Sequence, residues 1–270
     1  MLLPSKAVLV KVNATTTNTQ QAAPAGTLRV ETASGQLVQT IALATPTAAL
    51  PNTAPTVPSF ADAYTAVVPA ALVQPGLRLT ASLPNGQPAT TINPRVGGGI
   101  NMSFVAVPIQ IAGTTGQVTP GAGPYVQARM PVVKVDLRVR AAYVSRRVTQ
   151  LPTTDSAWGS AFSSVLGELN DLHILEQASD DTYYVGFMPK RTFGLAGIGY
   201  VPGNASLTFD VPNSPRAVLE TLTHELGHNF SLPHAPCGGP ARPDPAYPYA
   251  NAQLGGPGRY IWGYNAATNT

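Results

Sequence analysis

The chain holds one cysteine, Cys237, among 270 residues. A lone thiol cannot form an internal disulfide, so no disulfide framework is expected, and the redox compartment is not fixed by it. Charge is scarce too. Asp, Glu, Lys and Arg make up 11% of the chain, against roughly 25% in an average protein. The net charge of +3 forms no basic run and has no aromatic platform beside it, which argues against nucleic-acid binding. No apolar run reaches the length of a membrane span. Met1-Leu2-Leu3-Pro4-Ser5-Lys6 lacks the basic and apolar regions of a signal peptide.

What is present points to a globular, β-rich chain. Hydrophobic residues make up 44%, enough for a core, and 27 prolines and 25 glycines punctuate the apolar runs. A surface of small neutral polar side chains suits an exported protein, so a secreted or extracytoplasmic location is expected. With no signal peptide visible, either the protein is not exported or the chain is a piece of a longer one; the second is the expectation, on the C-terminal pattern described below.

Residues 1–112 carry few charges. Short β-type runs recur at Ala7–Val12, Thr27–Glu31, Leu37–Leu43, Leu77–Leu83 and Met102–Ile111. Turn residues separate them, as in Leu83-Pro84-Asn85-Gly86-Gln87-Pro88. This pattern predicts an antiparallel sandwich. Residues 113–131, rich in Gly, Thr and Pro, read as a linker.

From residue 132 the texture changes. Val132–Val144 reads as a strand, and Ser156–Gln177 as a helix. The apolar stripe of that helix is Trp158, Phe162, Val165, Leu166, Leu169, Leu172 and Leu175. His173 on this helix reads as an ordinary solvated or packed histidine. Further strands are expected at Thr182–Met188, Gly197–Val201 and Ser206–Phe209. The expected class is α+β and multidomain: a β-sandwich over 1–112, a linker over 113–131 and an α/β domain over 132–270.

The chemistry gathers near the end. Ser214 can cap a helix and Pro215 suits its first position; the helix then runs to about Asn229. At about 100° per residue, His224 and His228 lie within about 40° of each other on one face. Leu219, Leu222, Leu226 and Phe230 lie on the other. Glu225 is rotated off the histidine pair, within reach of a metal-bound water but not a ligand. Pro233 lacks the N–H a helix needs and is expected to stop it, so the chain turns back and can present His234 as a third nitrogen ligand. Three histidines leave one position of a four-coordinate Zn2+ open. The bland reading is a set of solvated helix histidines, and a closer rival is a non-catalytic zinc site. Glu225 at the general-base position argues against the latter.

His224-Glu225-Leu226-Gly227-His228-Asn229-Phe230-Ser231-Leu232-Pro233-His234 resembles the extended zinc signature of the metzincin endopeptidases, H-E-x-x-H-x-x-G-x-x-H. The resemblance implies zinc ligands at His224, His228 and His234 and a general base at Glu225. Ala235-Pro236-Cys237-Gly238-Gly239 and Trp262-Gly263-Tyr264 are similar to segments of secreted bacterial metzincins that carry an immunoglobulin-like domain ahead of the protease. Phe60–Leu83 is similar to that accessory domain.

Two features depart from the pattern. Ser231 stands where metzincins have glycine. The four methionines are Met1, Met102, Met130 and Met188, and none follows His234 to form the family's methionine turn. The resemblance therefore implies a catalytic domain truncated at the C-terminus, and a Cys237 that either pairs beyond residue 270 or is an unpaired thiol.

The function expected is zinc-dependent hydrolysis of peptide bonds in extracellular proteins or glycoproteins. In metzincins an edge strand pairs with extended substrate. Gly194–Val201 occupies a similar place, where its glycines either admit a substrate backbone or form a plain glycine-rich turn. The rival function is a cell-surface binding or adhesion module with a structural or inactive zinc site; a small-molecule hydrolase is a third.

Overall fold

The computed structural model describes residues 2–20, 22–54, 59–84, 88–189, 195–211, 213–247 and 249. They fall into two compact units, one of Met1–Gly99 with the segment from Tyr249, the other Ile100–Pro248, so the second unit does not run to residue 270 as expected. The turn at Asn85–Gln87, the glycine at 194 and the segment Trp262-Gly263-Tyr264 lie outside the described residues.

The first unit contains β1 (Val8–Asn13), β2 (Gly26–Glu31), β3 (Leu37–Leu43), β4 (Ala63–Val68), β5 (Arg78–Ser82) and β6 (Thr90–Ile92). All pairings are antiparallel. One sheet has the order β3-β2-β5-β6, and β1 pairs with β4 in a second. Thr27 and Arg29 of β2 face solvent while Leu28 and Val30 are buried, the period-two pattern of a half-buried strand. Leu28 and Val30 share one apolar cluster with Tyr64 and Val68 of β4, so both sheets contribute to one core.

The second unit contains β7 (Ile100–Ile111), β8 (Thr114–Thr115), α1 (Ala122–Arg129), β9 (Val132–Val139), β10 (Tyr143–Val144), α2 (Asp155–Leu175), β11 (Thr182–Met188), β12 (Gly197–Gly199), β13 (Ala205–Phe209) and α3 (Pro215–Asn229). The sheet runs β9-β7-β11-β13-β12. Its first four strands are parallel, and β12 is an antiparallel edge. Short strands β8 and β10 pair with the C-terminal end of β7. Helices cover both faces, so β7, β11 and β13 read as nearly continuous apolar runs.

On one face, α2 seals Val107, Ile109, Leu207 and Phe209 with Phe162, Val165 and Leu169. On the other, α1 and α3 cover Phe104, Ala106 and Phe187 with Val126, Val218, Leu222 and Leu226. Truncating either buried leucine of α3 to alanine would cost about 2–5 kcal/mol.

Several expectations need correction. Met102–Ile111 was expected in the sandwich, but β7 is the strand that β9 and β11 flank in the second unit, so the boundary falls at 99/100. A short apolar run fits a sandwich-core strand as well as a strand covered on both faces, which is why sequence could not separate them. The expected linker contains α1, whose Gly123 sits with a would-be β-carbon 3.3 Å from Leu137. Val132–Val144 breaks into β9 and β10. Ser214 makes no side-chain cap on α3, although Pro215 does occupy its first turn. Thr154 caps α2 through the backbone N–H of Ala157. Leu175 was placed on the buried stripe but is 78% exposed at the helix end. His173 is packed: it is buried edge-on to Tyr184, with Nε2 3.1 Å from the Thr182 carbonyl.

Candidate metal centre

Helix α3 projects His224 and His228 from the face opposite Val218, Leu222 and Leu226, with ring centroids 4.7 Å apart. The helix then ends in a turn that supplies the third ring. The Ser231 N–H donates to the His228 carbonyl at 2.9 Å and the Leu232 N–H to the Gly227 carbonyl at 3.0 Å. This pair of bonds is the Schellman motif, which needs a left-handed residue at the position of Ser231. Ser231 has φ 66°. A serine there costs roughly 1–2 kcal/mol that glycine would not, so the departure from the glycine pattern leaves the turn intact under strain.

The turn brings His234 to the pair. Its ring centroid lies 4.6 Å from that of His228 and 5.3 Å from that of His224. One ligand nitrogen from each of the three rings lies within 4.8 Å of the others. The residues expected from sequence as ligands are thus brought together.

Two backbone carbonyls orient the rings. His228 Nδ1 is 2.7 Å from the Leu232 carbonyl, and His234 Nδ1 is 2.9 Å from that of Ala241. A carbonyl only accepts, so each Nδ1 carries a proton, which leaves Nε2 as the ring atom that can ligate. Those two Nε2 atoms face each other at 3.1 Å. Two acceptors at that distance repel unless a cation lies between them. A proton bridges two nitrogens, whereas a metal ion accepts all three. Bonds of about 2.0–2.1 Å to zinc would set tetrahedral nitrogens roughly 3.3 Å apart. The donor set, its tautomers and its spacing therefore fit a divalent metal. Partial burial first, then the neighbouring rings of His228 and His234, hold His224 below its ordinary value and so in the neutral form that ligates.

Glu225 is buried against strand β12. A β-carbon on Gly197 would stand 2.8 Å from its Oε1, and one on Gly199 would stand 3.4 Å from its Oε2. The glycines expected to admit a substrate backbone thus have a different contact: they let the edge strand close onto the helix. Burial pushes the carboxyl up to about 8. A cation at the three rings acts in the opposite direction. Glu225 and the histidines line a groove of about 1050 Å³ whose wall is β12 and the residues flanking it.

One supporting residue was not read from sequence. Asn229, the last residue of α3, is buried, and its amide donates to the carbonyls of Tyr200 and Ala205, each at 3.0 Å. It ties the helix end to the connection between β12 and β13. Its place directly after His228 was the available signal.

Residues 194–270 match the model of the Peptidase M66 family, so the stretch carrying the three histidines is similar to a family of peptidases. No curated protein matches the chain. Among solved structures, one titled "Structure of a chaperone-substrate complex" is 14% identical, with a TM-score of 0.28, over 63% of this chain and 28% of that one. The chain thus spans less than a third of that structure's length, and a likeness this slight carries no argument.

Proposed function

We propose that the second unit is a zinc-dependent endopeptidase of metzincin type, with His224, His228 and His234 as ligands and Glu225 as general base. The observation that carries the reading is the convergence of three imidazoles on one point beside a buried carboxyl and a groove. The similarity of residues 194–270 to a peptidase family supports it. Zinc, when bound, supplies Lewis-acid polarisation of a peptide carbonyl and acidification of a water.

The chain's own residues do the rest. Glu225 is placed to accept the proton of the attacking water and return it to the leaving amine. Closure of β12 over its carboxyl keeps bulk water from one side of it. As the antiparallel edge among the described strands, β12 is the strand an extended peptide would pair with. The carbonyls of Leu232 and Ala241 hold two rings in the ligating tautomer.

The finer assignments belong to the same reading: an immunoglobulin-like accessory sandwich in the first unit, export from the cytoplasm, and extracellular proteins or glycoproteins as substrates. The test is Glu225→Gln. That variant should bind one zinc per chain, by elemental analysis, and cleave casein or mucin at least about a hundredfold more slowly than the parent. Equal hydrolysis by both would remove Glu225 from the mechanism.

A further inference from the structure

The groove beside the three histidines has an uneven charge. Among the described residues that line it, Glu220 and Glu225 are the acids and Arg242 is the one permanent cation. Glu220 is held by Arg216 at 2.8 Å, and Glu225 is committed to proton transfer in the reading above. No carboxylate pairs with Arg242 among the described residues.

The backbone fixes where Arg242 stands. On one side of it, the Ala241 carbonyl receives His234 Nδ1 at 2.9 Å. On the other, the Asp244 N–H donates to the His234 carbonyl at 2.7 Å, and Pro243 bridges to His234. Arg242 is thus strapped to the third ring by bonds before and after it. It also has φ 51°, in the left-handed region that favours glycine. A strained non-glycine residue persists where its surroundings over-determine it, and such residues cluster at functional sites. Glycine would relieve the strain, but it would also remove the guanidinium from the groove.

We propose that Arg242 is a specificity-determining residue that selects peptide substrates carrying an aspartate or glutamate side chain near the scissile bond. This rests on the endopeptidase reading and names its substrate class. A planar guanidinium binds a carboxylate through paired N–H donors. Arg242 is exposed at the rim of a groove whose wall includes Leu195, Ala196, Ile198 and Val201, so the pairing is open to salt and should weaken as ionic strength rises. The charge also repels a lysine or arginine at the same subsite, so discrimination has an attractive and a repulsive part.

The test uses the full chain loaded with zinc and a set of peptides identical except for Glu, Gln or Lys placed in turn at each position flanking the cleaved bond. At one position, Glu should exceed Lys by about tenfold in kcat/KM, carried mainly by KM. Arg242→Gln should level that ratio and Arg242→Glu should invert it. Thermal melts check that both variants fold. The same peptides, fluorescently labelled, are titrated into the Glu225→Gln chain with and without the Arg242 substitutions, and binding should follow the same order and the same inversion. A ratio that is the same in the parent and in Arg242→Glu overturns the assignment, whichever assay shows it. Hydrolysis with no charge preference sinks Arg242 and leaves the peptidase standing. Charge-ordered binding with no hydrolysis by the parent does the reverse. Neither binding nor cleavage of any peptide overturns both.

Discussion

A β-carbon on Gly199 would stand 2.9 Å from the carbonyl oxygen of Glu225. The contact is with helix backbone, which cannot swing aside as a side-chain end can. Gly199→Ala must therefore push β12 away from α3, at a cost of about 1–3 kcal/mol. Gly197→Ala meets side-chain atoms of Thr221 and Glu225, Glu225 Cγ among them, and no helix backbone among its nearest contacts, so it should cost less stability. It should nonetheless displace the carboxyl and slow hydrolysis more than it lowers the melting point. Denaturant titration and peptidase assays on the two variants check the contrast; equal stability loss would show that the strand does not press on the helix.

Ser231 is the second point of strain. Ser231→Gly removes the cost of a β-carbon at φ 66° but adds freedom to the unfolded chain, for a net gain of about 0.5–1 kcal/mol. Ser231→Val places a β-branched side chain in the same conformation and should lose about 2 kcal/mol or more. Because the same turn supplies the carbonyl that orients His228, the valine variant should also bind zinc more weakly. Calorimetric melts with and without zinc separate the two effects.

Asn229 gives a sharper chemical test. Its amide presents two N–H groups to two carbonyls, while its buried Oδ1 has no partner among the described residues. Asn229→Asp sets a carboxylate oxygen against those carbonyls and should cost about 3 kcal/mol at neutral pH. Acidification into the carboxyl range should recover part of that loss, because a protonated Asp regains one donor. Urea unfolding at two pH values decides it.

These sites show where sequence was informative. α3 was legible because its apolar residues, Pro215 and the spacing of its histidines agree, and the three rings do meet. The partners that fix the rings are carbonyls of Leu232 and Ala241, and a backbone carbonyl has no side-chain signature. α1 was hidden because Ala122–Arg129 is short and contains Gly123 and Pro124, which read as loop residues. β7 is legible as a strand but not as a member of the second unit, since a continuous apolar run fits either a sandwich core or a sheet covered on both faces. The glycines of β12 are visible in the sequence, but their close approach to Glu225 has no sequence signature.

Glu176 carries a pH dependence away from the histidines. Burial alone would raise its carboxyl, but the hydrogen bonds from Tyr184 and Arg140 and the charges of Arg140 and Arg138 outweigh burial and hold it below its ordinary value. A carboxyl depressed in the folded state contributes stability that is fully present above its unfolded value and is lost as pH falls through the folded one. The parent should therefore be more stable than Glu176→Gln at neutral pH, and the gap should close as pH drops below the ordinary carboxylate range. Paired urea melts from pH 7 to pH 3 measure it. A gap independent of pH would mean that the carboxylate's charge plays no part.

Metal binding should itself be a large part of the folded state's stability. Nε2 of His228 and Nε2 of His234 oppose each other at 3.1 Å, a spacing that suits two ligands of one cation. A ligand that binds only the folded chain stabilises it by about 4 kcal/mol when its free concentration is 1,000 times its dissociation constant. Adding zinc to the chelated chain should raise the melting temperature in a concentration-dependent way. His234→Ala leaves two rings on one helix, and its zinc affinity should fall by at least about a hundredfold, so the zinc-dependent rise should vanish at micromolar metal. His173→Ala, a histidine packed against Tyr184 away from the three rings, should lower the melting point but keep the full zinc-dependent rise. Loss of the rise in both variants, or in neither, would detach the three rings from the metal.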